Sequence, residues 1–149
     1  MPVAHAAQEV SAAVFEKLKP AQDALKARDF KGALTNANAA LGVAKTPYER
    51  EIALKIKLSA AHSLRSWPDV IEAGEALVKS PGIGGAERTN LQRMLGTVYV
   101  QTRQYDKAVE NMRAAMQASG GGTAQDHLVM YSIYVARNDC PNSLASLDR

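Results

Sequence analysis

Cysteine, histidine and aromatic residues are scarce in this chain of 149 residues, and each scarcity makes one kind of structure or site less favourable. The single cysteine, Cys140, cannot form an internal disulfide, so no disulfide framework holds the fold. No apolar run approaches the roughly 18 residues of a membrane-spanning helix. Aromatic residues make up 5% of the chain and much of the 46% hydrophobic fraction is alanine, which favours closely packed helices over a bulky core.

Candidate catalytic and metal-binding residues do not form a site in the sequence. His5, His62 and His127 are far apart, and no thiol or carboxylate completes a metal-ligand spacing with any of them. Cys140 has no histidine nearby and is predicted to be a small buried filler rather than a nucleophile. The glycine-rich run at 82–85 follows a predicted helix rather than a strand, so it is interpreted as a linker and not as a phosphate loop. The sequence therefore predicts no enzymatic activity, no metal and no cofactor.

The formal net charge of +3 comes from interspersed acids and bases. The densest basic stretch, residues 17–31, carries five bases against two acids. This pattern is typical of a solvated helix face rather than a nucleic-acid surface, so no nucleic-acid partner is predicted.

A similar local pattern recurs four times along the chain. Each copy has a short turn and then Phe30, Trp67, Tyr105 or Cys140, and these positions are separated by 37, 38 and 35 residues. Apolar stripes of period 3.6 flank the copies, and glycine- or proline-containing breakers separate them. That period is typical of stacked helix hairpins.

The pattern predicts an all-α protein, and no segment shows strand-like alternation. We expect eight helices, over residues 12–28, 31–43, 47–64, 68–79, 86–102, 105–118, 124–137 and 141–149. Because an interior proline disrupts the hydrogen-bonding of a helix, the first helix is expected to kink or to begin anew at Pro20.

The chain is predicted to consist of a flexible N-terminal tail, residues 1–10, and an array of about four hairpins, residues 11–149, the last one truncated. Within the tail, Ala4-His5-Ala6 fits the small-residue signature of a secretory cleavage site. Either the tail is the remnant of a signal peptide or it is an alanine-rich extension. The first interpretation indicates a periplasmic or secreted protein and the second is compatible with a cytoplasmic one.

The third copy is the most specific. Its Leu95-Gly96, Tyr99, Tyr105, Ala108 and Ala115 resemble the tetratricopeptide repeat pattern, which the other copies match less completely. In the second copy, for example, Lys57 stands where a leucine is usual. The segments 45–49 and 120–123 resemble those of exported bacterial members of the family. The resemblance implies a superhelix of stacked hairpins with a concave groove that binds a protein or peptide, and such proteins are seldom enzymes.

Projection of the family's inward-facing positions onto this chain gives a candidate groove. Its residues are Lys55, Ser59, His62, Arg93, Thr97, Val100, Gln101 and Leu128. The groove is expected to be centred on Lys55, His62, Arg93 and Gln101, and the positive charges of Lys55 and Arg93 are expected to favour a ligand of some acidic character. Two other functions remain open: a substrate-recruiting accessory domain of a larger enzyme, and a structural module that associates with itself.

Overall fold

The computed structural model describes residues 8–138 and 140–147, without the side chains of Cys140 and Ser143. Within this part of the chain there are eight α-helices and no strand, which confirms the all-α prediction. Contacts divide the chain into two compact units, unit 1 (Met1–Gly82) and unit 2 (Ile83–Arg149). In each unit the helices pack against their neighbours in sequence order. The tail residues 1–7, with Ala4-His5-Ala6, lie outside the described part.

The helix bounds agree closely with those predicted from the turn signals. Unit 1 contains α1 (Ala12–Lys26), α2 (Phe30–Val43), α3 (Pro47–Ser63) and α4 (Trp67–Val78). Unit 2 contains α5 (Gly85–Gln101), α6 (Tyr105–Ala118), α7 (Ala124–Ala136) and α8 (Cys140–Leu147). Helix α1 neither ends nor begins at Pro20, which lies on its exposed side.

The turn inside each hairpin has the same backbone geometry. The residue two positions after α1, α3, α5 and α7 has a left-handed φ of 54° to 61°, and these residues are Arg28, Arg65, Arg103 and Asn138. In the first three turns, the N–H of this residue and the next N–H bond back to carbonyls of the preceding helix, for example Arg65 to His62 and Ser66 to Ala61. These two bonds define a Schellman motif, which ends one helix and lets the next begin within three residues.

Small residues bring the helices of unit 1 close together. The core consists mainly of alanines with a few branched residues: Val14, Leu18, Ala21, Ala37, Ala40, Ala44, Ala53 and Ile56. Because an alanine adds little bulk beyond the backbone, the helix axes can approach closely. The alanine-rich composition thus determines the packing of this unit.

Unit 2 has its closest helix crossing between α5 and α6. A Cβ added to Gly96 would lie 2.6 Å from Cγ of Met112 and 3.4 Å from the carbonyl oxygen of Ala108. Ala108 and Tyr99 are fully buried beside this crossing. Gly96 and Ala108 therefore lie where α5 and α6 approach each other closely.

Two helices begin with a capping box. Thr46 accepts a hydrogen bond from the N–H of Glu49 at the start of α3, and Thr123 accepts one from the N–H of Asp126 at the start of α7. Each carboxylate in turn accepts a bond from the backbone of its threonine. Before α7, three consecutive glycines at 120–122 have φ between 75° and 119°, a conformation that side chains rarely adopt.

Candidate partner-binding surfaces

In unit 1, three of the predicted groove residues share one face of α3. Lys55, Ser59 and His62 follow one another at helical spacing of four and three residues, and all three are exposed. The His62 ring lies edge-on to Trp67, with 6.0 Å between the ring centroids. This face of α3 therefore presents a charged group, a hydroxyl and an imidazole to solvent.

In unit 2, the predicted residues differ in their exposure. Thr97 and Gln101 are exposed on α5, whereas Val100 is half-buried. Thr97 donates its hydroxyl hydrogen to the carbonyl of Arg93, one turn earlier in the helix. Leu128, on α7, is 53% exposed.

Arg93 has a different environment from the one expected of a ligand-binding base. Its Nε and one terminal nitrogen donate to the two carboxylate oxygens of Asp126, at 2.8 and 2.9 Å. The same terminal nitrogen also donates to the hydroxyl of Ser119. Since Asp126 is buried and belongs to the capping box of α7, this bidentate pair joins α5 to the start of α7.

The pair stabilises the charged forms of both residues. The hydrogen bonds from Arg93 lower the pKa of Asp126, with the bonds from Thr123 acting in the same direction. The hydrogen bond with Asp126 raises the pKa of Arg93. The positive charge of Arg93 is therefore compensated within unit 2, and the candidate surface there consists of hydroxyl, amide and apolar groups.

Lys57 is a second charged residue with a structural partner. It is 3% exposed in α3, and its Nζ lies 2.8 Å from Oε2 of Glu72 and 3.7 Å from Oδ1 of Asp69, both on α4. The sequence shows that a lysine stands where a leucine is expected, but the partners of this lysine were not predicted. The available signal was the pair of carboxylates 12 and 15 residues later, in the antiparallel helix of the same hairpin.

Glu49 is a buried carboxylate whose partners are mainly backbone N–H groups. One oxygen accepts from Lys45 and Thr46, and the other accepts from Ser11 at the start of α1. The bond from Lys45, followed by those from Ser11, lowers the pKa of Glu49 to about 2. Glu49 thus ties the beginning of α1 to the beginning of α3.

A cleft in unit 1 lies on a different face of α3 from Lys55, Ser59 and His62. Its volume is about 510 Å³. It is lined by the end of α2, the first half of α3 and the end of α4, through Leu41, Lys45, Pro47, Arg50, Leu54, Glu72, Ala76, Lys79, Ser80 and Pro81. No sequence pattern predicts this cleft, because its lining comes from three helices that are separated along the chain.

Unit 2 contains a smaller cleft between α6, α7 and α8. Its volume is about 390 Å³, and Arg113, Met116, His127, Met130 and Tyr134 contribute to its lining. One Arg113 terminal nitrogen donates to the Tyr134 hydroxyl at 2.9 Å. This hydrogen bond therefore connects α6 to α7.

The described residues contain no group of three or more histidine, cysteine, aspartate or glutamate side chains arranged to hold a metal ion. The side chain of Cys140, predicted to be a buried filler, lies outside that part of the chain. None of the described helices combines the length and apolar character needed to cross a membrane.

Comparison with protein-family models, with curated proteins and with solved structures gave no match for this chain.

Proposed function

We propose that the protein is a non-catalytic scaffold that binds a partner protein or peptide on the solvent-facing side of its first helices, in the manner of tetratricopeptide repeat proteins. The hairpins would stack as a superhelix, as in that family. The proposal concerns the exposed faces of α3 and α5, which carry Lys55, Ser59, His62, Thr97 and Gln101.

One observation carries the proposal. The packing of the hairpins uses the opposite sides of these helices, where residues such as Ala60, Leu95 and Tyr99 are buried. The predicted surface residues other than Arg93 and the half-buried Val100 remain exposed. A helix face with polar side chains that core packing does not occupy suits recognition of another chain.

Because Arg93 forms an ion pair with Asp126, the proposed surface does not include it. Reversal of this charge would leave Asp126 buried without its partner, so loss of binding in such a variant would report damage to unit 2. Ser59 and Thr97 are better probes because both are exposed on the proposed surface.

The experiment compares capture of partners from a lysate of the native organism by the wild-type protein, Ser59→Trp and Thr97→Trp. The matched control is Thr35→Trp, an exposed threonine on the second helix of the first hairpin. We expect the first two variants to lose the captured protein and the control to retain it. Equal capture by all four proteins, with unchanged circular dichroism, would contradict the proposal.

Self-association is a second candidate function, and the apolar surface of the fourth hairpin favours it. Leu128 and Val135 on α7 and Leu144 and Leu147 on α8 are each about half exposed or more. Several large exposed apolar side chains on one hairpin suit a contact surface. A second copy of the chain would cover these side chains. Light scattering tests this, because Leu144→Lys with Leu147→Lys should convert a dimer into a monomer. A wild-type protein that is monomeric at high concentration would exclude this function.

A further inference from the structure

We infer that the cleft formed by α2, α3 and α4 in unit 1 is a binding site for an acidic peptide segment that contains an apolar side chain. The inference rests on two properties of the cleft, its apolar floor and the three positive charges around it. The site is separate from the surface proposed above.

The floor of the cleft is apolar. Its apolar side chains are Leu54, which is buried, Leu41 and Ala76, which are half-buried, and Pro47 and Pro81, which are exposed. A volume of about 510 Å³ lies within the range of roughly 300–1,000 Å³ that is usual for ligand sites. An apolar group of the ligand would displace water from this floor, which is favourable in proportion to the area covered.

The rim of the cleft is positively charged. Lys45, Arg50 and Lys79 are exposed and line it from three different helices or their ends. Within the described part of the chain, the side chains of these three residues make no ion pair. The one acidic residue of the lining, Glu72, accepts a hydrogen bond from Lys57. The charge at the rim is therefore available to a carboxylate of a ligand.

An acidic peptide fits this combination better than a nucleic acid does. Nucleic-acid binding requires a basic surface that follows several phosphates, whereas these cations surround a compact cleft. A peptide can place an apolar side chain on Leu41 and Leu54 while carboxylates on either side reach Arg50 and Lys79. Because Lys45, Arg50 and Lys79 are solvent-exposed, the attraction should weaken as salt is added.

The cleft and the proposed first-helix surface can be tested separately. Arg50 and Leu54 are four residues apart on one face of α3, and Lys55 and Ser59 lie about 140° further around the helix. A variant in one set leaves the side chains of the other unchanged. The two proposals can therefore fail independently of each other.

The test measures fluorescence anisotropy with a labelled hexapeptide of sequence Glu-Asp-Leu-Leu-Asp-Glu. Two comparison peptides replace either its acids with amides or its leucines with serines. We expect the acidic leucine peptide to bind the wild-type protein more tightly than both. Arg50→Glu with Lys79→Glu should weaken that binding about tenfold or more, since two attractive charge contacts are lost and each is replaced by a repulsive one. Ala76→Phe, which fills the cleft, should also weaken it.

The matched control is Lys17→Glu with Lys31→Glu, which changes the net charge equally at exposed residues outside the cleft. We expect this control to retain most of the affinity, and circular dichroism should show that all variants are folded. The inference is overturned if the wild-type protein does not bind the acidic leucine peptide or binds the serine peptide equally well. It is also overturned if the control weakens binding as much as the cleft variant, if Ala76→Phe has no effect, or if a single-stranded oligonucleotide competes better than unlabelled peptide.

Discussion

Lys57 shows how a single residue can depart from the expected pattern without disrupting the fold. Its ammonium group is buried in α3, but Glu72, its nearest partner, is largely exposed. Substitution of Lys57 by methionine would remove the cost of burying the charge and leave Glu72 in solvent. We therefore expect Lys57→Met to change the free energy of unfolding by less than about 1 kcal/mol, or to increase it.

Removal of the two carboxylates that pair with Lys57 should have a larger effect on stability. Asp69→Asn with Glu72→Gln would leave the Lys57 ammonium buried without a carboxylate, and we expect a loss of about 1–3 kcal/mol, the usual cost of a buried polar group that loses its partner. Urea unfolding of the two variants measures this asymmetry. A methionine variant that is less stable than the double variant would contradict this asymmetry.

Glu49 makes the stability of unit 1 dependent on pH. Its pKa in the folded protein is lowered from 4.5 to about 2, so the ionised carboxylate stabilises the fold above about pH 4.5. That stabilisation is lost as the pH falls from about 4.5 towards 2. We expect Glu49→Gln to reduce stability near neutral pH and to reduce the fall in stability across that acid range.

Urea midpoints measured at several pH values between neutral and acidic conditions test this dependence. Glu16→Gln, at an exposed position in α1, is the matched control and should retain the wild-type acid dependence. If the urea midpoints of Glu49→Gln and of the wild-type protein fell equally as the pH is lowered, groups other than Glu49 would determine the acid dependence of stability.

At the scale of helices, the crossing of α5 and α6 depends on small residues. Ala108 is fully buried and its backbone lies beside Gly96, so a larger side chain has no space there. We expect Ala108→Leu to lower the free energy of unfolding by about 1–3 kcal/mol through overpacking. Ala118→Leu, at the exposed end of α6, should change it little. Thermal unfolding distinguishes the two, and an unchanged midpoint for Ala108→Leu would mean that the crossing is looser than described.

The helices were predictable because their boundaries are determined locally. Thr46 and Pro47 indicate a helix start, and the glycines at 120–122 interrupt the helical pattern before Thr123. The high alanine content likewise favoured closely packed helices. The first helix was expected to kink or to begin anew at Pro20, and it does not begin anew there, because α1 runs from Ala12 to Lys26. An exposed position in a helix that packs on its opposite side through Val14, Leu18 and Ala21 can accommodate the missing backbone hydrogen bond.

The partners of the charged residues were not predictable in the same way. Arg93 and Asp126 are 33 residues apart, and their pairing depends on how the start of α7 packs beside α5. The cleft lined by Lys45, Arg50 and Lys79 likewise requires three helices to be placed before its charges can be seen together. The spacing of residues along a single helix identifies which positions are exposed. It does not determine which charged side chains form ion pairs with residues of other helices.

At the scale of the molecule, we propose that the exposed first-helix faces bind a partner chain. Incorporation of a photo-crosslinking amino acid in place of Ser59, and separately in place of Thr97, tests it most directly. The same amino acid at Thr35 is the control. After irradiation in a lysate of the native organism, we expect both test positions to yield a discrete crosslinked product with a partner protein and position 35 to yield none. A product of equal intensity at position 35, or none at positions 59 and 97, would contradict the claim.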